Sequence, residues 1–210
     1  MALIQVNLVP GSGDQLLTFD SDTNLEWLNL TATADRSYLD ILGGSGGYTT
    51  TYGFRYATGA EISTLWQHAG ITKFGLGQTV PFPASNHASI EALIQMMNGV
   101  ALYPSVTRGS VLVQTQGMMQ FRGSGTPTPA TPMSVAQLWL FKNNPNGSYA
   151  DTNPGRGAGQ RFPEISSYLV RNRVAAPLSP TSLVTRGGKR NRPVEARKRN
   201  RFGTLDNEAP

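Results

Sequence analysis

The segment that organises this 210-residue chain is Gly53-Phe54-Arg55-Tyr56-Ala57-Thr58-Gly59-Ala60-Glu61-Ile62-Ser63-Thr64-Leu65-Trp66. Thr58 and Glu61 have the spacing of a capping box, in which each side chain accepts a hydrogen bond from the other residue's backbone N–H. Apolar residues then recur at helical spacing and form one face: Ile62, Leu65, Trp66 and Ala69. Gly70 tolerates the left-handed conformation that ends helices. The pattern predicts a core helix over about residues 59–69.

The net positive charge of the chain comes entirely from its C-terminal end. The net charge is +5, but residues 1–180 carry ten Lys or Arg and ten Asp or Glu. The excess lies in the tail after Pro180, a candidate polyanion-binding segment whose basic residues include Lys189, Arg190, Arg192, Arg197, Lys198, Arg199 and Arg201. Such clusters bind nucleic acid in a salt-dependent, non-specific way. A nucleic-acid function is not favoured, because few aromatic residues accompany the charges.

Composition excludes several classes of protein. The chain has no Cys, which rules out a disulfide scaffold, a thiolate metal site and a Cys nucleophile. It has no apolar run of about 18 residues, so no membrane span is expected. Its first residues lack the basic start and apolar region of a signal peptide.

Hydrophobic periodicity predicts an α+β fold. Period-two patterns predict strands at residues 2–9, 15–19, 25–30, 101–103, 110–115, 118–121, 135–141 and 165–171. Helical patterns predict helices at about 37–42, 59–69 and 89–97, with long loops at 123–132 and 143–160. We therefore expect an antiparallel sheet drawn from both chain ends, with two to three short helices in the first half.

The domain prediction is one α+β domain over residues 1–175 and a disordered basic tail over residues 176–210. After Ala176 the chain is rich in Pro, Ser and basic residues and has few large apolar side chains. Such a segment cannot bury enough apolar surface to offset its ordering entropy.

Several motifs together resemble a bacterial family. They are residues 19–28, the segment Ser37-Tyr38-Leu39-Asp40, the motif Gly53-Phe54-Arg55-Tyr56-Ala57-Thr58 with Glu61, and residues 167–171. The chain resembles exported proteins with a PEP-CTERM or VPLPA-type C-terminal sorting signal. Its body is more distantly similar to the C-terminal domains of bacterial collagen-like adhesins, in which Gly-Trp-Arg-Leu-Pro-Thr starts a helix. The structural signature of this resemblance is Trp27, Gly53, Phe54, Arg55, Thr58, Glu61 and Trp66.

The resemblance implies an exported protein of a Gram-negative, polysaccharide-producing bacterium, with a C-type-lectin-like or related α+β fold. It implies a surface or matrix protein and supplies no catalytic residues or cofactor. The chain departs from the family at both ends. Ala175-Ala176-Pro177-Leu178-Ser179-Pro180 stands where the sorting signal would be, and a basic tail follows in place of an apolar helix. As written, the chain has neither leader nor anchor, and the degenerate signal region points to a disrupted reading frame.

No set of residues in the sequence has the spacing of a known catalytic site. Gly43-Gly44-Ser45-Gly46-Gly47 matches the pattern of a nucleophile elbow, but the elbow needs a strand before it and a helix after it. The two histidines, His68 and His87, have no partner spacing that supports catalysis, so structural or surface roles are favoured. The segment 155–159 lacks the Lys-Ser/Thr of a phosphate-binding loop, and a plain loop is predicted there.

Asp20, Asp22 and Asn24 imitate the first half of a calcium loop. The sixth position should be Gly and is Leu25, and the twelfth should be Glu and is Thr31. A polar turn is therefore favoured, since Asp and Asn readily bond to their own backbone. These three residues remain weak metal candidates, for a lectin-type site completed by distant oxygens.

Trp139 and Tyr103 are weak ligand-binding candidates, because exposed aromatic rings stack on sugars. Apolar residues occupy both faces of the strand around Trp139, which favours a central, buried strand and a core position for this side chain.

These observations favour a non-enzymatic extracellular, surface or matrix-associated protein that binds polysaccharide. The alternatives are polyanion or nucleic-acid binding through the basic tail, and a hydrolase with an unrecognised site.

Overall fold

The computed structural model describes residues 3–72, 74–76, 84–98, 103–107, 110–141 and 149–173. In chain order the strands are β1 (Leu3–Val6), β2 (Leu17–Asp20), β3 (Leu25–Leu28), β4 (Arg55–Tyr56), β5 (Gly75–Leu76), β6 (Tyr103–Thr107), β7 (Ser110–Met118), β8 (Pro132–Phe141), β9 (Tyr149–Gly157), β10 (Ser166–Ser167) and β11 (Leu169–Asn172). The helices are α1 (Tyr38–Leu42), α2 (Gly59–His68) and α3 (His87–Met96), with short 3-10 turns at Leu30–Thr33, Ser45–Gly47 and Ala84–Asn86.

All described residues belong to one compact unit, Met1–Val174. The unit Ala175–Pro210, which contains the predicted tail, lies outside the described residues.

The first sheet joins the two ends of this unit, as predicted. Its order is β1-β2-β3-β11-β4, and every pairing is antiparallel. Trp27 of β3 lies opposite Val170 of β11 in the register. All eight residues of β2 and β3 are buried, because side chains pack against both faces of the sheet.

The two predicted capping boxes are present and begin α1 and α2. Ser37 caps α1 together with Asp40, and Thr58 caps α2 together with Glu61, each with both reciprocal hydrogen bonds. Gly70 follows α2 with a φ of 86°, the left-handed conformation expected of a helix stop. These helix starts follow directly from local sequence, because the bonded groups are three residues apart.

The second sheet is mixed, whereas an antiparallel sheet was predicted. Its order is β10-β7-β8-β9-β5, and β6 pairs with the first part of β7. β10 runs parallel to β7, and β5 runs parallel to β9. The parallel pairs join short segments that approach the edges of the sheet from distant parts of the chain.

Three predicted boundaries in the second half are wrong. The predicted loop 143–160 contains strand β9, because eight of its backbone positions pair with the central strand β8 despite a polar, Gly- and Pro-containing sequence. β7 runs without a break to Met118, so the separate strand predicted at 118–121 does not form. The predicted strand 165–171 divides at Tyr168, and its two parts belong to different sheets.

The core lies on both sides of the first sheet. One cluster packs α2 and α3 between the sheets, and its largest side chains are Trp27, Leu65, Trp66, Ile90, Leu93, Leu138, Leu140 and Tyr168. The second cluster packs α1 and its neighbours on the opposite face, with Leu17, Leu28, Tyr38, Ile41, Phe54, Tyr56 and Leu169. Trp27 and Trp66 are 1% and 0% exposed, so the signature tryptophans are core residues.

Candidate functional site

The second sheet presents a polar and aromatic face on the side away from α2 and α3. Leu138 and Leu140 belong to the core cluster, so the alternate residues of β8, Gln137 and Trp139, lie on the opposite face. The neighbouring strand matches this alternation: Gln114 pairs with Trp139, and Gln116 pairs with Gln137. We call Gln114, Gln116, Gln137 and Trp139 the glutamine–tryptophan face.

The four residues differ in exposure. Gln116 and Trp139 are partly exposed, while Gln114 and Gln137 are only 5% and 6% exposed. The face therefore combines a partly exposed aromatic side chain with two glutamines that are almost fully buried.

The predicted core position of Trp139 is only partly met. β8 is central, as expected, and Trp139 lies on the face opposite Leu138 and Leu140. Its side chain is partly exposed, although its Nε1 atom is buried. Val135, on the same face as Trp139, is buried in the second cluster near one end of the strand. This face of β8 is therefore apolar at Val135 and mixed polar and aromatic at Gln137 and Trp139, so alternation alone could not predict how far Trp139 is buried.

Tyr103, the other aromatic ligand candidate, begins β6 and pairs with Leu112 of β7. Its side chain lies outside the described part of the structure. The face was missed at the sequence level, although a signal was present: Gln114 and Gln116 stand two residues apart, as Gln137 and Trp139 do, so each pair shares one face of a strand.

His68 has a partner that the sequence did not reveal. Its Nδ1 lies 2.8 Å from Oδ2 of Asp20, and the side chains of His68 and Asp20 are 17% and 2% exposed. Asp20 Oδ1 also accepts the backbone N–H of Asp22. The pair resembles the acid–histidine half of a triad, but no Ser or Thr hydroxyl among the described residues hydrogen-bonds to His68.

The three metal candidates form a turn rather than a cluster of ligands. Asn24 has a φ of 58°, and its backbone carbonyl accepts the N–H of Arg173. The buried Asp20 carboxylate is directed to His68. Among the described residues, no group of three or more His, Cys, Asp and Glu is arranged to hold a metal ion.

The glycine-rich segment after α1 does not form a nucleophile elbow. A helix precedes it, and Ser45–Gly47 form a 3-10 turn in which Gly46 and Gly47 have positive φ. Ser45 accepts a hydrogen bond from Arg36. His87 begins α3, two residues before the predicted start of this helix. The predicted loop at 155–159 begins within β9, which extends to Gly157, and turns there.

The signature residues of the resemblance hold the start of α2 in place. Gly53 has a φ of 71°, and the Phe54 ring lies 4.6 Å from the Arg171 guanidinium carbon. Arg171 also pairs with Glu26, at 2.8 Å. Arg55 bonds to Glu61, the capping residue, so this motif serves the fold and exposes no reactive group.

The basic tail residues lie outside the described residues. Within the described ranges, no helix has the length and apolar character needed to cross a membrane.

Comparisons with protein-family models, curated proteins and solved structures found no match to this chain.

Proposed function

We propose that this protein is a non-enzymatic, extracellular surface or matrix-associated domain that binds polysaccharide through the glutamine–tryptophan face. The observation that carries the proposal is the partly exposed Trp139 side chain among the glutamines of the same face. An indole ring offers a large apolar surface at low entropic cost. The amides supply the few convergent polar groups that orient a ligand.

The extracellular location rests on the resemblance to exported proteins with sorting signals, and a C-type-lectin-like relationship belongs to the same proposal.

Two features agree with a binding role rather than a catalytic one. The Asp20–His68 pair lacks a hydroxyl nucleophile among the described residues, and the capping carboxylates are engaged by arginines.

Affinity electrophoresis of the full chain through gels that contain bacterial exopolysaccharide or purified glycans tests the proposal. Trp139→Ala should weaken retention by at least about tenfold, which corresponds to about 1.4 kcal/mol. Tyr52→Ala is the matched control, because Tyr52 is also a partly exposed aromatic residue but belongs to the second core cluster. Circular dichroism verifies that both variants fold.

The measurement is made with calcium and with a chelator, so that a metal-dependent mode is detected. Retention that is equal for the wild type and Trp139→Ala would exclude this face as the site. Absence of retention by the wild type on every gel, under both conditions, would leave the domain with a structural role only.

A further inference from the structure

Three side chains in the core have polar atoms that make no hydrogen bond. Trp66 of α2, Thr115 of β7 and Tyr168, which stands between β10 and β11, are 0%, 2% and 0% exposed. Among the buried side chains that the structure describes, these three each have a polar atom without a hydrogen-bond partner: the indole Nε1, Oγ1 and Oη. Buried polar groups are nearly always bonded, so these atoms need an explanation.

Tyr168 lies where the chain passes from the second sheet to the first. Its backbone N–H donates to the carbonyl of Met118 in β7, and its own carbonyl accepts from the N–H of Ala57. Its ring lies against Gly117, because a Cβ atom added there would be 2.5 Å from Cδ2 of the tyrosine. Thr115 precedes Gly117 by two residues and therefore lies on the same face of β7 as the tyrosine ring.

Thr115 and Trp66 both reach the hydroxyl group of Tyr168. Burial raises the pKa of this hydroxyl from 10.0 to about 12, and the side chains of Thr115 and Trp66 oppose part of the shift by favouring the ionised form. Neither side chain has the geometry of a direct hydrogen bond to the tyrosine. The three polar atoms are thus close neighbours that do not bond to one another.

The count of donors and acceptors shows why direct bonds would not suffice. The indole N–H and the two hydroxyl O–H groups are three donors, whereas the indole accepts no hydrogen bond. The two hydroxyls can share one bond, and the indole can donate to one hydroxyl oxygen, so one hydroxyl donor would stay unbonded in the core. A buried water molecule typically makes about three hydrogen bonds to such groups and both donates and accepts.

We infer that Trp66, Thr115 and Tyr168 form a binding site for one internal water molecule. The water accepts hydrogen bonds from the indole N–H and from one hydroxyl, and it donates to the oxygen of the other hydroxyl. It joins α2, β7 and the connection between β10 and β11, and it is therefore a structural part of the domain. The inference is independent of what the glutamine–tryptophan face binds.

Crystal structures of the full chain and of two variants test the inference. The wild type should show one ordered water within about 3 Å of Trp66 Nε1, Thr115 Oγ1 and Tyr168 Oη. Thr115→Ser is the matched control, because it keeps the hydroxyl and should keep the water. The double variant Thr115→Val with Tyr168→Phe removes both hydroxyls at nearly unchanged shape and should lose the water. Direct hydrogen bonds among the three wild-type side chains, with no water between them, would overturn the inference.

Urea unfolding of the single variants Thr115→Val and Tyr168→Phe is a second test, which needs no crystals. Each variant should have a lower urea midpoint than the wild type, because a bonded water and its other partners lose a hydrogen bond. An unchanged or raised midpoint for both variants would mean that the hydroxyls are unbonded in the native protein, since apolar replacement of an unbonded buried group costs nothing. That result would also overturn the inference.

Nuclear magnetic resonance detects the same water in solution. Saturation transfer from water to the indole N–H of Trp66 should be present in the wild type and in Thr115→Ser, and it should be absent from the double variant. Equal transfer in the wild type and the double variant would contradict a water held by the two hydroxyls.

Discussion

Arg55 donates two hydrogen bonds to the carboxylate of Glu61, from Nη1 to Oε2 at 2.9 Å and from Nη2 to Oε1 at 2.5 Å. Oε2 also accepts from the backbone N–H of Thr58 at 2.8 Å and from its hydroxyl at 2.9 Å. One carboxylate thus joins strand β4, which contains Arg55, to the first turn of α2. This arrangement explains why the motif contains an arginine three residues before the helix cap.

We expect Thr58→Ala to lower the free energy of unfolding by about 1 kcal/mol, because it removes the N-terminal cap of α2. Glu61→Ala should cost more, since it removes both the reciprocal capping bond and the partner of Arg55. Urea unfolding followed by circular dichroism measures both values. Gln67→Ala, at an exposed position of the same helix, is the control. A Thr58→Ala variant as stable as this control would contradict the capping role.

Acid should destabilise the protein through two capping carboxylates. Hydrogen bonds from Arg55 lower the pKa of Glu61 from 4.5 to about 2, and hydrogen bonds from Arg161 lower the pKa of Asp40 from 3.8 to about 2. Because both pKa values are lower in the folded state, the unfolded state binds more protons in acid. The stabilisation is complete above about pH 4.5 and is lost as the pH falls towards 2.

Urea unfolding at a series of pH values from neutral to acid checks this prediction. Glu61→Gln and Asp40→Asn should each be less stable than the wild type at neutral pH and should each lose less stability on acidification. Identical acid profiles for the wild type and both variants would assign the acid sensitivity to other groups.

Gly117 and Tyr168 are in close contact between the sheets. A Cβ atom on Gly117 would lie 2.5 Å from Cδ2 of Tyr168, whose side chain is fully buried. We expect Gly117→Ala to cost about 1–3 kcal/mol through overpacking. In a double-mutant cycle, Tyr168→Leu should remove much of this cost, whereas Tyr168→Phe should not, because it keeps the ring. Strict additivity with Tyr168→Leu would mean that the ring is not the obstacle.

His68→Ala should destabilise the protein by about 1–3 kcal/mol, because it leaves the buried carboxylate of Asp20 without its ring partner. Asp20→Asn in the same chain should recover part of the loss, since a neutral amide tolerates burial better than an unpaired charge. Thermal unfolding measures both effects. Asp22→Asn, a change at a neighbouring exposed residue, should have little effect. Full stability of His68→Ala would show that the contact is not energetically important.

The sequence predicted the features that depend on neighbours within one helical turn. Both capping boxes, Ser37 with Asp40 and Thr58 with Glu61, and the Gly70 helix stop are where the pattern indicated. The antiparallel sheet that joins β3 to β11 was also predictable, because strongly apolar strands stand at both ends of the domain. Side-chain type and periodicity are enough to predict these features, since the capping contacts are local and the strands at both ends of the domain are strongly apolar.

Contacts between distant residues required the tertiary structure. Strand β9 forms because it pairs with β8, although its own composition is polar. The Asp20–His68 pair likewise joins residues that are 48 positions apart. The same holds for the glutamine–tryptophan face. β8 has apolar residues on both sides, and only the packing of α2 and α3 against Leu138 and Leu140 decides that Trp139 lies on the opposite side. Alternation defines two faces of a strand, but the elements that cover one of them come from elsewhere in the chain.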